Sequence, residues 1–262
     1  MANTSVQQAL AVSVVVPAKD ERENLPGLID EIKDALDGRS FEVVVVDDGS
    51  SDGTGDVLLE YASSNPFLRV YRHGTSSGQS CAVRTGMLKA RGDIIVTIDG
   101  DGQNDPAYIP NLVDGLERAG PAVALAAGQR LGRKASLFKR YASKAANKLR
   151  GWLLKDNTRD SGCGLKAVRR DVFLSLPYFD SWHRFLPALV IREGFGVIFV
   201  DVIDRERMHG SSKYGVFDRA LIGILDLYGV WWLRRRRNKI PEVSVVVSGG
   251  QSPTAGKGEG AD

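Results

Sequence analysis

Five short apolar runs rich in β-branched residues punctuate the first half of the chain: Val12–Val16, Phe41–Val46, Leu68–Tyr71, Ile94–Ile98 and Val123–Ala127. Between them lie stretches of helical spacing or composition, Asn24–Leu36, Gly55–Ala62, Gly78–Ala90 and Tyr108–Arg118. Apolar runs with so little polar alternation suit strands covered on both faces. Strands that alternate with helices pack as a mostly parallel, Rossmann-like sheet flanked by helices, so the fold class is α/β. Ligands of such sheets bind beyond the carboxyl ends of the strands. Chemistry is therefore expected in the residues just after each strand.

Three of those ends are acidic. The first strand runs into Pro17-Ala-Lys-Asp-Glu-Arg-Glu-Asn24, the second into Asp47-Asp-Gly-Ser-Ser-Asp-Gly-Thr54, and the fourth into Asp99-Gly-Asp-Gly-Gln-Asn-Asp-Pro106. Asp99 and Asp101 flank a single glycine, so both carboxylates can turn toward one cation. Magnesium and manganese prefer oxygen ligands and take water or substrate phosphate for the rest of their shell. Gln103 offers a neutral oxygen nearby, and Gly100 and Gly102 let the backbone pass close to a ligand. A solvated acidic turn is the plainer alternative, since D-G-D-G is also turn chemistry. Asp47 and Asp48 at a neighbouring strand end weigh against it, because clustered like charges are costly without a cation between them.

Charge is divided along the chain. The net value of +3 conceals 10 Lys/Arg against 19 Asp/Glu in residues 1–128, and 25 against 13 in residues 129–262. An acidic front and a basic back suit a protein that handles both a cation and an anion. Cys81 and Cys163 are too few and too far apart for a disulfide framework or a zinc site. The N-terminus lacks a signal-peptide pattern, and no apolar run reaches the length of a membrane span, so cytoplasmic residence is expected. Gly53-x-Gly55 follows the second strand, whereas a dinucleotide fingerprint should follow the first.

The second half is less regular. Ala135–Leu154 has an amphipathic stripe through Leu137, Phe138, Tyr141, Ala145, Leu149, Trp152 and Leu153, and residues 133–155 carry eight basic side chains and no acidic one. Gly162–Val168 reads as a return to the sheet and Val197–Ile203 as another strand. Val216–Leu233 reads as a helix interrupted by Asp218, Arg219 and Asp226 that ends in Trp231-Trp232 and Arg234–Arg237. Both helices suit an anionic membrane surface, with aromatics at the interface and cations at the headgroups, or else an apolar stripe buried in the core. Among the histidines, His73 reads as a loop residue without chemistry, His183 as a candidate acceptor contact and His209 as structural. The chain is expected to divide into an N-terminal extension (1–10), an α/β domain (11–215), a basic amphipathic membrane segment (216–240) and a disordered Gly/Ser/Pro-rich tail (241–262).

Taken together, PAKDERENLPGLI, VVVVDDGSSDGT and TIDGDGQNDP resemble family 2 glycosyltransferases of the GT-A fold, in particular the branch of dolichol-phosphate mannose synthases and polyprenyl-phosphate glycosyltransferases. The resemblance spans about residues 11–215 and extends to Gly128-Gln-Arg130, Asp160-Ser-Gly-Cys-Gly164 and the segment 204–215. It implies nucleotide-sugar contacts for Pro17, Glu21, Asp48, Asp99 and Gly100, and Mg²⁺ or Mn²⁺ on Asp99, Asp101 and Gln103. It implies donor or acceptor phosphate contacts for Arg130, Arg207 and Lys213. Lys19-Asp20 stands where the family often has Tyr-Asn, so a stacking tyrosine is missing from the first loop. Many members of the branch add transmembrane helices beyond residue 215; their lack here implies peripheral attachment to the cytoplasmic face of a membrane.

The chemistry then depends on the acceptor. A sugar hydroxyl needs a general base, for which Asp160 is the candidate. A lipid monophosphate, with a second pKa near 6, is largely ionised and needs cations rather than a base. The expected activity is inverting, metal-dependent transfer of one hexosyl unit from GDP-mannose or a UDP-hexose or hexuronate to a polyprenyl phosphate, with Asp101, Arg130, Asp160, Arg207 and Lys213 at the catalytic centre. Two alternatives stand beside it: transfer to a saccharide hydroxyl through Asp160, and a non-catalytic module binding lipid or nucleic acid through Arg234–Arg237. The acidic strand ends speak against the last, so no nucleic acid partner is expected.

Overall fold

The computed structural model describes residues 10–131, 150–205 and 216–237, the first seven of the last stretch as backbone only. Seven strands form one sheet in the order β3-β2-β1-β4-β6-β5-β7. They are β1 (Val12–Ala18), β2 (Phe41–Asp47), β3 (Leu68–Arg72), β4 (Ile94–Thr97), β5 (Val123–Arg130), β6 (Lys166–Arg169) and β7 (Gly196–Val202). Six run parallel. Among the described residues only β6 runs against its neighbours, β4 and β5. Consequently the carboxyl ends of six strands and the entrance to β6 meet at one edge, which gathers the loops after residues 18, 47, 72, 97, 130 and 202 with the approach to Lys166.

The β-branched runs are explained by burial on both faces. Val12, Val14 and Val16 pack on one side with Leu25, Ile29 and Ile32 of α1 (Leu25–Ala35), Leu58 of α2 (Thr54–Ser64), and Leu112 and Leu116 of α4 (Ile109–Arg118). Val15, Val44 and Val46 pack on the other side against α3 (Gln79–Lys89), α5 (Arg170–Ser175), Trp182 and α6 (Leu186–Arg192). Each fully buried valine contributes on the order of 1.5 kcal/mol or more. α7 (Val216–Arg235) follows the last strand and lays Leu227, Val230 and Trp231 on this second face.

Two sequence expectations need correcting. α7 is continuous through Asp218, Arg219 and Asp226, because charged side chains lower helix propensity only slightly and do not block its hydrogen bonds as proline would. The return strand is shorter than expected, Lys166–Arg169, and antiparallel. Most of the predicted helix Ala135–Leu154 lies outside the described residues, which take it up only from residue 150.

One polar knot sits within the apolar sheet. Glu42 is 1% exposed and accepts hydrogen bonds from Ser13 Oγ (2.8 Å), the Arg91 amide (2.7 Å), Arg91 Nη2 (2.7 Å) and Arg69 Nη1 (3.0 Å). Burial alone would raise its pKa, but these donors outweigh burial and hold it below the ordinary value. Glu42→Gln is expected to cost about 2 kcal/mol, since it leaves the buried Ser13 hydroxyl and two partly exposed arginines without their anion. With the folded pKa depressed, this contribution is complete above the ordinary carboxylate range and is lost as pH falls through the folded value. Urea unfolding of both proteins from neutral to acidic pH checks it: their difference should shrink on acidification.

Candidate active site

The first and second acidic loops are laced together. Asp20, at φ 54°, receives a hydrogen bond from the Ser51 amide (2.8 Å) while its own amide donates to Ser50 Oγ (2.8 Å). The Glu21 amide donates to Thr54 Oγ1 (3.0 Å), and Asp52 accepts from the amides of Arg22 and Thr54. Asp20, the residue after Lys19, is thus a carboxylate that fixes loop to loop. Pro17 is buried in β1, and its carbonyl lies against Gly100, where a Cβ would come within 3.0 Å of it.

Asp48 is buried and fully engaged. Oδ1 accepts from the Ser77 amide (2.8 Å) and pairs with His73 Nδ1 (2.7 Å), and Oδ2 accepts from the Gly78 amide and Ser76 Oγ (2.8 Å each). Burial raises its pKa, but these donors bring it below the usual value. His73, expected to be an idle loop residue, also pairs with Thr85 Oγ1 (2.9 Å) and so ties the loop after β3 to α3. An open cleft of about 290 Å³ lies here, lined by Gly49, Ser50, Arg72, His73 and Gly74.

The third loop carries Asp99, Asp101 and Gln103. Asp99 Oδ1 accepts from Gln79 Nε2 (2.7 Å) at the start of α3, and Asp101 Oδ1 from the Gln103 amide (3.1 Å). The Asp99 carboxylate lies flat on Gly164, where an added Cβ would overlap it outright. Thr97 Oγ1 (2.7 Å to the Gly164 carbonyl) and the buried Lys166 ammonium, which donates to the Cys163 carbonyl, hold that backbone in place. Burial first, and then the charge of Asp101, push the Asp99 pKa up to about 6. Two carboxylates one residue apart, with Asp99 raised by burial and by its neighbour, fit a hard divalent cation. Among the described residues no group of three or more ligating side chains closes around such a site, so water and substrate oxygens would supply the remaining positions.

Arg130, at the end of β5, binds Asp160 through two parallel bonds, Nε–Oδ2 (2.5 Å) and Nη2–Oδ1 (2.8 Å), and reaches Asp204 Oδ2 with Nη1 (3.2 Å). Burial would raise Asp160, but Arg130 holds it below the ordinary carboxylate value. Burial would lower Arg130, and the two carboxylates raise it instead. His183 is half-buried against Ser80 Oγ (3.0 Å); desolvation, then the nearby Lys166 charge, push it down to about 3, so it is neutral at physiological pH. Arg207, His209 and Lys213 lie outside the described residues.

Sequence reasoning missed Gln79, Lys166 and Asp204 as members of this edge. Gly164 and Asp204 stand inside motifs that were legible. Gln79 and Lys166 carry no comparable signal, since their place is set by which strands become neighbours.

A mixed sheet with acidic loops converging at its carboxyl edge is the architecture of a GT-A glycosyltransferase. The Glycosyl transferase family 2 model matches residues 13–176, and the chain belongs to that family. It is 35% identical over 234 residues to the dodecaprenyl-phosphate galacturonate synthase of Rhizobium johnstonii, covering 87% of this chain and 68% of the relative. It is also 35% identical over 207 residues to the undecaprenyl-phosphate 4-deoxy-4-formamido-L-arabinose transferase of Pectobacterium carotovorum subsp. carotovorum, covering 78% of this chain and 62% of the relative. The chain thus spans under two thirds of the second relative's length. Among solved structures, glucosyl-3-phosphoglycerate synthase from Mycobacterium tuberculosis, in complex with Mn²⁺, UDP-glucose and glycerol 3-phosphate, shares the fold at a TM-score of 0.64. It is 22% identical, covering 86% of this chain and 80% of that one.

Proposed function

We propose that this chain transfers one hexosyl unit, with inversion, from a nucleotide sugar (GDP-mannose or a UDP-hexose or hexuronate) to a polyprenyl phosphate. The observation that carries the reading is the state of Asp160. It is the candidate base for a hydroxyl acceptor, yet both its oxygens are held by Arg130 and its proton affinity is lowered. A phosphate acceptor needs no base. The names of the two relatives, both polyprenyl-phosphate enzymes, support the same choice.

In this reading Pro17, Glu21, Asp48 and Gly100 shape the nucleotide site beside the cleft at Arg72 and His73, with Asp48 acting through the loop it organises. Asp99, Asp101 and Gln103 hold Mg²⁺ or Mn²⁺, which when bound neutralises charge on the leaving diphosphate. Arg130, Arg207 and Lys213 hold the acceptor phosphate against its repulsion from the donor. Around Asp99 the described residues set the carboxylates of Asp101, Asp160 and Asp204 against the cations Arg130 and Lys166. That excess of negative charge favours cation entry before two anionic substrates meet.

Asp160→Asn tests the acceptor. For a phosphate acceptor it should cost no more than about tenfold, mostly in the acceptor KM through a looser Arg130, whereas loss of a general base costs about 10²–10⁴ in kcat. A kcat loss of the latter size, with donor binding intact, would establish the hydroxyl reading.

We also propose that α7 rests on an anionic membrane. Among the described residues no helix is long and apolar enough to cross one. Beside its buried face α7 exposes Ile224, Leu225, Tyr228 and Trp232, with Arg235 and Arg236 beyond them. Apolar groups flanked by arginines suit the headgroup boundary. The double variant Tyr228→Ser/Trp232→Ser is expected to weaken binding to phosphatidylglycerol-containing vesicles about tenfold, a loss of roughly one interfacial contact per ring. Flotation at equal lipid concentration measures it, and unchanged recovery would remove α7 from the membrane contact.

A further inference from the structure

Asp204 stands where three functional segments meet. It follows β7 by two residues, and β7 pairs with β5 so that Val202 lies opposite Arg130. Its two carboxylate oxygens serve different partners: Oδ1 accepts from Asn104 Nδ2 (3.1 Å), on the loop of Asp99 and Asp101, and Oδ2 accepts from Arg130 Nη1 (3.2 Å). Arg205 reinforces the link. Its amide donates to the Gln103 carbonyl (2.8 Å), and its guanidinium bonds Asp105 (2.7 Å) and Glu31 (2.6 Å). Asn104 is only 3% exposed, so its amide is buried with Asp204 as its partner. Two residues beyond Arg205 comes Arg207, with Lys213 further on.

We propose that Asp204 is a positioning residue that joins the cation loop to Arg130. Resting on the reading of polyprenyl-phosphate transfer, it assigns to one carboxylate the alignment of Arg130 on one side and of the Asp99–Asp105 loop on the other. The physical reason lies in the pairing. Arg130 is anchored to Asp160 along one edge, and a guanidinium held along one edge still pivots. The contact from Nη1 to Asp204 fixes the remaining direction. The same carboxylate tethers Asn104, so a shift of the cation loop and a shift of Arg130 are not independent. Donor and acceptor binding are therefore coupled, and by linkage each strengthens the other by the same factor.

The variant Asp204→Asn keeps size and one acceptor oxygen but cannot accept from both partners in the same geometry. It is compared with the wild-type full chain in three measurements: the Kd of Mn²⁺ alone, read from the free-ion electron paramagnetic resonance signal; the acceptor KM and kcat with a short-chain polyprenyl phosphate; and the melting temperature. The expected result is a rise of about tenfold in acceptor KM, together with about fivefold weaker Mn²⁺ binding and a melting temperature within a few degrees of wild type. Asn104→Ser, which cuts only one arm, should reproduce the Mn²⁺ effect with a smaller KM change. If Asp204→Asn leaves both KM and Mn²⁺ affinity unchanged, or moves kcat and melting temperature alone, the positioning role is overturned. If instead the wild-type chain transfers no sugar to the phosphate, it is the functional reading that has failed, and the Mn²⁺ comparison still judges the link from Asp204 to the cation loop.

Discussion

Asp99→Asn is expected to lower transfer about a thousandfold while leaving the fold intact, the scale on which charge stabilisation at a leaving group contributes to catalysis. The substitution keeps shape, so the flat contact with Gly164 and the approach of Gln79 remain possible. What it removes is the negative charge that makes this edge attractive to a cation. That charge is held at a cost, since burial and Asp101 push Asp99 up to about 6. Without metal, the variant should therefore melt at the same temperature as wild type or slightly higher. Activity within tenfold of wild type at saturating Mn²⁺ would remove Asp99 from the reaction.

Gly164→Ala is expected to come next in effect, about a hundredfold in transfer, although its side chain reaches no substrate. A methyl there would occupy the volume of the Asp99 carboxylate. The backbone at Gly164 cannot retreat easily, because Thr97 Oγ1 binds its carbonyl and Lys166 binds the carbonyl before it. Asp99 has to turn away, and a ligand misplaced by about 1 Å costs on the order of 10²-fold. The loss should appear as weaker Mn²⁺ binding, with a smaller change in melting temperature. Unaltered Mn²⁺ affinity would show that Asp99 does not need this contact.

The sequence makes the parallel part of this architecture plain, and of the return strand it shows the place but neither the direction nor the ends. Runs such as Val43–Val46 declare strands buried on both faces, and acidic loops just after them declare the working edge of the sheet. β6 is four residues long and begins with a lysine, so no periodicity fixes its ends or its direction. Lys166 is buried because β6 lies between β4 and β5, a pairing across tens of residues that no local pattern records. Glu42 likewise looks like a break in an apolar run until Arg69 and Arg91 are seen to close on it. The motifs also name Arg130 and Asp160 without showing that they bind each other across 30 residues, the pairing on which the choice of acceptor turns.

Transfer to a phosphate acceptor with a divalent cation is tested by offering the chain a panel of GDP- and UDP-sugars with a short-chain polyprenyl phosphate and, separately, saccharide acceptors, with and without Mn²⁺ or Mg²⁺. Products are identified by mass spectrometry and their anomeric configuration by nuclear magnetic resonance. The expected result is a polyprenyl phosphate glycoside of inverted configuration, formed only with the metal. Transfer to a saccharide hydroxyl alone, or equal transfer in the presence of a chelator, would contradict it.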